Sequence, residues 1–430
     1  MSLFGAMNTA VSGLSAQAAA FTNISDNVAN SQTVGFKGTN TSFVDYLSSS
    51  TVTQNQSGSV ATRPLYQNDV QGQIQNSTDA TALAIAGKGF FQVSEQSGVT
   101  ATGVPILGAT PNYTRTGDFT QDKSGYLVNS AGGYLNGWTA DANGNVIQGA
   151  LSPIRISQAQ NPPVATANIA AAANLPAGSP TGGSTAVTAY DSSGAQHSVA
   201  LTWAPATNAS GAPMANTWTL NLTEDGGTSV PAGTAVFNPN GTIQSFTASN
   251  TGGANTLTPA SGTEAGFTLT PSWAQSTPIN FNLGTINGTD GVTQFAGTTY
   301  TSRNITADGV MAGNYTGVAI ESNGSVVASY DNGTTKTLAQ VPVVTFGDAD
   351  ALQRQNGEAF TATAASGLGQ VNVQNANGAG SLTVGETESS NVDIATELSK
   401  LIVAQQAYGA NAKMITAANQ MLTTTINTIQ

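Results

Sequence analysis

The stretch SNVDIATELSKLIVAQQAYGANAKMITAANQML, residues 390 to 422, decides how the chain is read. From Ile394 an alternating four-and-three spacing runs through Leu398, Leu401, Gln405, Tyr408, Ala412, Ile415, Asn419, Leu422, Ile426 and Ile429. Such a repeat is the seam of a coiled coil. Ser390 and Asp393, three apart, predict a capping box, with Asp393 and Glu397 at the positive end of the helix dipole. Glu397 and Lys400 form an i,i+3 pair. At the other end of the chain the same spacing picks out Phe4, Met7, Val11, Leu14, Ala18, Phe21, Ser25 and Val28. The two ends are predicted to pair with each other, as rods of roughly 58 Å and 37 Å.

Their composition is unusual for surface helices. Residues 1 to 25 carry no charged side chain and include Gly5 and Gly13, each costing a helix roughly 1 kcal/mol relative to Ala. A solvated helix shows a charged face opposite its apolar stripe. Here every face is Ala, Ser, Thr, Gly, Asn or Gln, which suits contact on several sides at once. Short glycine-containing helices gain little from local propensity and fold when neighbours bury them. Burying each large seam residue stabilises by roughly 1.5–3 kcal/mol, so Leu398, Leu401, Ile415 and Leu422 matter most. Gln405 and Asn419 would weaken the coil but fix its register. The bland alternative is a two-helix hairpin at the base of a monomer. No run approaches the roughly 18 uninterrupted apolar residues of a membrane span.

The 430 residues have room for two to four domains. Only 8% are charged and 39% hydrophobic, with 48 glycines; low charge argues against plain disorder. The net charge of -12 disfavours nucleic acid and anionic membrane as partners. With no cysteine, disulfides, zinc-thiolate sites and thiol nucleophiles are ruled out. The opening MSLFGAMNTAVSG lacks a basic n-region and a compact apolar h-region, so the chain is either cytoplasmic or exported without a cleaved signal.

Between the ends the pattern is β. After VANSQTVGFK (28–37), a Ser/Thr/Asn-rich stretch to about Gly72 reads as a linker with some play, containing short strands. From Thr81 the runs TALAIAGKGFFQV, YTRTGDF and GYLVNSAGGYLNGW alternate apolar and polar residues between glycine turns, as half-buried antiparallel strands do. Residues 150 to 300 suggest seven short strands of a sandwich or barrel, entered through the hinge-like AAAANLPAGSPTGGS. Past Ser302 the first style returns, with hairpins at Asn323-Gly324 and Asn332-Gly333; further turns fall at Asn143-Gly144, Asn240-Gly241 and Asn287-Gly288. The fold class is multidomain α+β: a terminal α-helical coiled coil from both chain ends plus two mainly antiparallel β domains, the outer one inserted in the inner one. The division is 1–30 with 391–430 (helical), 31–72 with 375–390 (linker), 73–149 with 301–374 (inner β) and 150–300 (outer β).

Chemistry is sparse. His197 lies near Asp191 and Ser192 but lacks a nucleophile elbow, and reads as a surface strand residue. Gly87-Lys88-Gly89 precedes a strand, so it is a turn rather than a dinucleotide fingerprint. Asp141 to Asn145 lacks the glycine position and the twelfth-position glutamate of a calcium loop. Glu224-Asp225 and the pair Asp348 and Asp350 read as solvated, and Trp138, Trp203, Trp218 and Trp273 as core anchors. No catalytic, cofactor or metal site is expected. The candidate site is one of self-association, carried by Phe4, Met7, Val11, Leu14, Phe21, Val28, Ile394, Leu398, Leu401, Tyr408, Ile415, Leu422 and Ile426.

VANSQTVGFK and the 390–422 stretch make the chain resemble the axial proteins of the bacterial flagellum, most closely those of the hook. LAIAGKGFFQV (83–93), YTRTGDFTQDKSGYLVN (113–129) and YDSSGAQHSVALTW (190–203) are similar to that family's β segments; Gln406 and Gly409 stand where Arg and Gln are common. The resemblance spans nearly the whole chain and is weakest between 205 and 300. It implies a subunit exported by the flagellar type III apparatus and added under a cap to a curved tube joining rod and filament. Its implied partners are further copies of itself, the distal rod protein, the hook cap and the hook–filament junction proteins, with no membrane insertion. A distal rod or other axial protein is the first alternative, a secreted β-rich adhesin the second, and an enzyme the last.

Overall fold

Two continuous helices, α1 (Leu3–Ala29) and α2 (Ile394–Ile429), have 27 and 36 residues, about 40 Å and 54 Å at the α-helical rise. The computed structural model describes residues 3–50, 55–100, 104–178, 181–249, 257–259, 262–271, 273 and 278–429. The start of α2 differs from the sequence expectation. The carboxylate of Asp393 accepts the Thr396 N–H at 2.7 Å, so Asp393 alone is the N-cap, while Ser390 Oγ accepts the Val392 N–H outside the helix. The Glu397–Lys400 pair is present at 2.6 Å.

The helices pack antiparallel, with Asn27 against Glu397 and Phe21 edge-on to Tyr408 at a centroid distance of 6.4 Å. The covered line on α2 is Glu397, Leu401, Ala404, Asn411, Ile415, Ala418 and Leu422; on α1 it is Ala6, Ala10, Gly13, Gln17, Ala20, Ile24 and Asn27. Half of the expected α2 seam therefore moves by one residue: Gln405 and Asn419 are exposed, and Ala404 and Ala418 are buried. Small residues win because they let the backbones approach. At Gly13 the neighbour is a side chain, Asn411, whose Nδ2 would stand 2.8 Å from an added Cβ.

Residues 31–72 are not a slack linker. β1 (Thr39–Ser50) and β2 (Asn55–Tyr66) form an antiparallel ribbon from Thr39↔Tyr66 to Ser50↔Asn55. The ribbon lies along α1 through polar bonds: Asn23 Nδ2 donates to Thr41 Oγ1 (2.8 Å), and Ser12 Oγ accepts the Val60 N–H (3.1 Å). Polar docking explains why no apolar alternation marked these strands. The returning chain is also tied down, with Ser381–Val384 paired to Leu83–Ala86 and Glu386–Glu388 to Ile74–Asn76.

The chain divides into two compact units, residues 1–158, 317–329 and 335–430 in the first and 159–316 with 330–334 in the second. The first unit holds the helices, the ribbon and a large, mainly antiparallel sheet in which Gly133–Thr139, Phe91–Val99 and Pro105–Thr114 are central neighbours. Phe90, Tyr113, Val344, Leu352 and Phe360 form one of its cores. The second unit has two five-stranded sheets over a single core containing Trp203, Trp218, Phe267 and Phe281.

The seven strands expected between residues 150 and 300 are present, and Asn168–Asn174, Leu257–Pro259 and Thr301–Ala307 add to the same two sheets. Two expectations change. Ala170–Asn174, part of the supposed hinge, belongs to a sheet strand lying between Ile279–Thr285 and Thr301–Ala307, and the latter, expected among the inner strands, pairs here. An alanine run reads as flexible only when its neighbours are unknown; the following Leu175 is fully buried.

One five-residue turn recurs. At 122–126, 129–133, 141–145, 191–195, 208–212, 238–242, 321–325 and 330–334, the first residue's N–H donates to the fifth residue's carbonyl. The fourth residue is always glycine at φ between +78° and +89°, a left-handed conformation in which a Cβ is strained. In most of these turns an early Asp or Asn side chain accepts nearby backbone N–H groups, as Asp141 does from Asn143 and Asn145. At Asn287-Gly288 the positive φ falls on Asn287.

Candidate assembly surface

The roots of the two helices and the ribbon meet in a polar network built from sequence-distant pieces. Asn27 accepts the Thr39 N–H (2.9 Å) and donates to Thr39 O and to Glu397 Oε2. Glu397, buried, also holds Lys400, whose Nζ reaches Asn40 Oδ1 at 2.7 Å. Asn391 accepts the Gly38 N–H (2.7 Å) and donates to Gln67 O and Val70 O.

Beneath this lies a sealed charge cluster. Lys37 Nζ stands 2.5 Å from Glu388 Oε1, and an Arg115 terminal nitrogen 3.0 Å from Glu388 Oε2, with all three side chains 1% exposed or less. Two cations on one anion would leave a costly net positive charge, but main-chain acceptors surround it. Lys37 donates to Val70 O, Arg115 to Ile85 O and Gly87 O, and the Arg115 guanidinium lies over the Phe90 ring at 5.3 Å. Burial pushes the Lys37 ammonium and the Arg115 guanidinium below their ordinary ranges, and in both the charge of Glu388 works the other way. Arg354 nearby faces Phe36, Tyr66 and Phe360 at 5.4–5.9 Å.

Of the residues picked out for self-association, Met7, Leu14, Phe21, Val28, Leu401, Ile415 and Leu422 are half-buried, whereas Phe4, Val11, Ile394, Leu398, Tyr408 and Ile426 are exposed. Ile402, Val403, Met414 and Met421, which the heptad reading passed over, are also exposed. α2 thus presents apolar side chains on faces that α1 does not cover.

Elsewhere the readings divide. His197 lies in a strand, its Nδ1 2.7 Å from Asp225 Oδ2 and its ring stacked on Trp273 at 4.1 Å. Asp225 and Asp350 are therefore not simply solvated. The former also accepts the Ser198 N–H; the latter is half-buried, accepts the N–H groups of Asn68 and Asp69, and has its pKa raised chiefly by burial. Trp138, Trp203 and Trp218 are buried and Trp273 is half-buried. Among the described residues no group of three or more His, Cys, Asp or Glu could hold a metal ion, and no helix is long and apolar enough to cross a membrane. Sequence reasoning alone does not bring Lys37, Arg115, Glu388, Asn27 and Asn391 together. The three charges stand in polar surroundings (GFKGTN, YTRTGD and GETESS), and the scarcity of charge in a chain that is 8% charged is the one signal that sets them apart.

Four family models tile the chain. Residues 7–37 match the flagella basal body rod protein model and 84–171 the flagellar hook protein FlgE/F/G D1 domain. Residues 158–310 match the flagellar basal body protein FlaE D2 domain, and 384–428 the flagellar basal body rod FlgEFG protein C-terminal model. Helical ends that present apolar faces, joined to β units of these kinds, define an axial protein of the bacterial flagellum. The flagellar hook protein FlgE of Brucella abortus biovar 1 (strain 9-941) is 32% identical over 434 residues, covering 99% of both chains. That of Escherichia coli K12 is 28% identical over 98% of this chain and 99% of its own. The chain belongs to the flagellar hook protein family. The crystal structure of Helicobacter pylori flagellar hook protein FlgE2 aligns with a TM-score of 0.49 at 12% identity, over 72% of this chain and 98% of that one.

Proposed function

We propose that the chain is the structural subunit of the flagellar hook, self-assembling into a curved, flexible tube that works as a universal joint carrying torque from rod to filament. The single observation that carries this is the exposure of Phe4, Val11, Leu398, Ile402, Val403, Met414, Met421 and Ile426 on paired helices with almost no charge. Faces of that kind are stable in water when neighbouring copies cover them.

In this reading residues 1–30 with 391–430 form a coiled-coil inner tube, and the thirteen seam residues from Phe4 to Ile426 carry self-association. Residues 31–72 with 375–390 connect the tube to an inner β domain, 73–149 with 301–374, which carries the inserted outer domain, 150–300. The ribbon fits a connection that transmits force better than one that gives way, so compression and extension fall to the outer β domains. Export through the flagellar type III apparatus without a cleaved signal, and contacts with the distal rod, cap and hook–filament junction proteins, complete the reading. The role is mechanical and not enzymatic, outside the cell in the hook of the basal body.

Electron microscopy of the purified chain at raised concentration tests it. Curved tubes are expected, straight ones would favour a rod component, and a protein that stays monomeric and binds surfaces after loss of 391–430 would be an adhesin. Deleting residues 1–25 should abolish tubes while both β domains remain folded.

A further inference from the structure

Eight asparagines of the chain are followed by glycine, a pairing with a chemistry of its own. The glycine nitrogen, with no Cβ beside it to shield it, can attack the amide carbon of the asparagine side chain. A five-membered imide forms, the amide nitrogen leaves as ammonia, and water opens the ring to aspartate or isoaspartate. The reaction needs a side chain free to turn, a main-chain N–H free to lose its proton, and solvent to take that proton.

At seven of the eight the fold withholds at least one of these. Asn136 is buried and bonded to Ser94. At Asn240, Asn323 and Asn332 the side-chain oxygen accepts a main-chain N–H two residues on, while the glycine N–H donates back to the first carbonyl of the five-residue turn. Asn287 accepts a bond from Asn238, and Asn377 donates one to Asn372. The Asn143 side chain is exposed, but Gly144 is half-buried and its N–H donates to Asp141 O at 3.1 Å. Only Asn356 meets all three conditions. Both Asn356 and Gly357 are exposed, and among the described residues neither the Asn356 side chain nor the Gly357 N–H has a hydrogen-bond partner.

We infer that Asn356 is a site of spontaneous modification, the position at which the folded chain first turns an asparagine into aspartate or isoaspartate, with water as the co-reactant and ammonia as the product released. The inference needs no assembly and goes beyond the hook reading. Its place in the fold gives it consequence. Asn356 lies in the turn between Gln353–Arg354 and Ala359–Thr361, closed by the bond from Gln355 N–H to Ala359 O at 2.8 Å. The turn rests on its neighbours: a Cβ on Gly357 would stand 2.9 Å from Ala131 Cβ, and Thr114 Oγ1 donates to Glu358 O. Aspartate adds a carboxylate two residues from Glu358, whose own ionisation burial already disfavours. Isoaspartate carries the main chain through the former side chain and lengthens the turn by a methylene. Either product acts on the strand that brings Phe360 into the core with Phe90 and Tyr113.

Incubation of the full chain in mildly alkaline buffer, followed by digestion and peptide mass spectrometry, tests this. The peptide holding Asn356 should be the first to gain the mass of an amide turned acid and to split into aspartate and isoaspartate forms. Asn143 should follow about fivefold more slowly, the rate factor for first breaking one ordinary hydrogen bond, and the other six more slowly still. In denaturant the eight should convert at similar rates, because the protection is structural. Earlier conversion of the folded chain at Asn143 or at any other Asn-Gly pair would overturn the assignment, as would the same ranking in the denatured chain. Asn356→Ser should remove the first product and leave the order of the rest unchanged. A first product that persists in this variant would place the chemistry elsewhere and sink the inference.

Discussion

Glu388 and Lys37 touch at 2.5 Å although 351 residues separate them, and neither side chain is exposed. The contact joins the strand that leads into α2 to the VGFK segment that follows α1, and Arg115 brings the inner β sheet to the same carboxylate. The two chain ends thus enter the helical pair from a common fixed point.

Neutralising that point should be costly. Glu388→Gln leaves two buried cations without their anion, and breaking such a cluster costs about 3–5 kcal/mol. Denaturant unfolding of the purified chain should show this as a shift of the first unit's transition. A change under about 1 kcal/mol would mean the charges find other partners.

Glycines against backbone and glycines against side chains should behave oppositely. A Cβ on Gly117 would lie 1.6 Å from Leu83 O, whose strand cannot retreat. Gly117→Ala should therefore cost at least the upper end of the ~1–3 kcal/mol typical of overpacking. At Gly13 the obstacle is the tip of the Asn411 side chain, which can turn away. Gly13→Ala should be neutral or stabilising by up to about 1 kcal/mol, through helix propensity. Thermal melts of the two variants side by side decide the matter.

The one-residue offset of the seam separates folding from assembly. Leu398 is 48% exposed, and Leu398→Ser should leave the single chain within about 0.5 kcal/mol of wild type while raising the concentration needed for tubes. Leu401, half-buried on the covered line, should lose about 1–2 kcal/mol as Leu401→Ser before assembly is considered. Equal effects on the dilute monomer would contradict the offset.

Acid should weaken the second unit. Hydrogen bonds hold several of its carboxyls below the usual range: Asp191 through Ser193, Asp225 through His197, Asp290 through the Thr285 N–H and Asp331 through Asn314. A carboxylate with a folded pKa below its unfolded value of about 3.9 contributes its full stability above that value. The contribution is lost as pH falls through the folded pKa. Near-ultraviolet dichroism followed against pH should stay flat from 7 to about 5 and fall below about 4, and Asp290→Asn should shift that fall.

The parts whose cause is local were legible in the residues alone. Heptad spacing marked both helices, and Asn-Gly pairs placed several of the hairpin turns, because periodicity and positive φ act within a few residues. The sequence also held the segments by which family membership was read. Which side of α2 faces α1 is set by packing, since close approach favours Ala404 and Ala418 over the larger residues that hydrophobicity ranks first. The ribbon along α1 and the Lys37–Glu388–Arg115 cluster were hidden for a related reason. Hydrogen bonds and ion pairs between residues up to 351 positions apart leave no periodic trace in the chain that makes them.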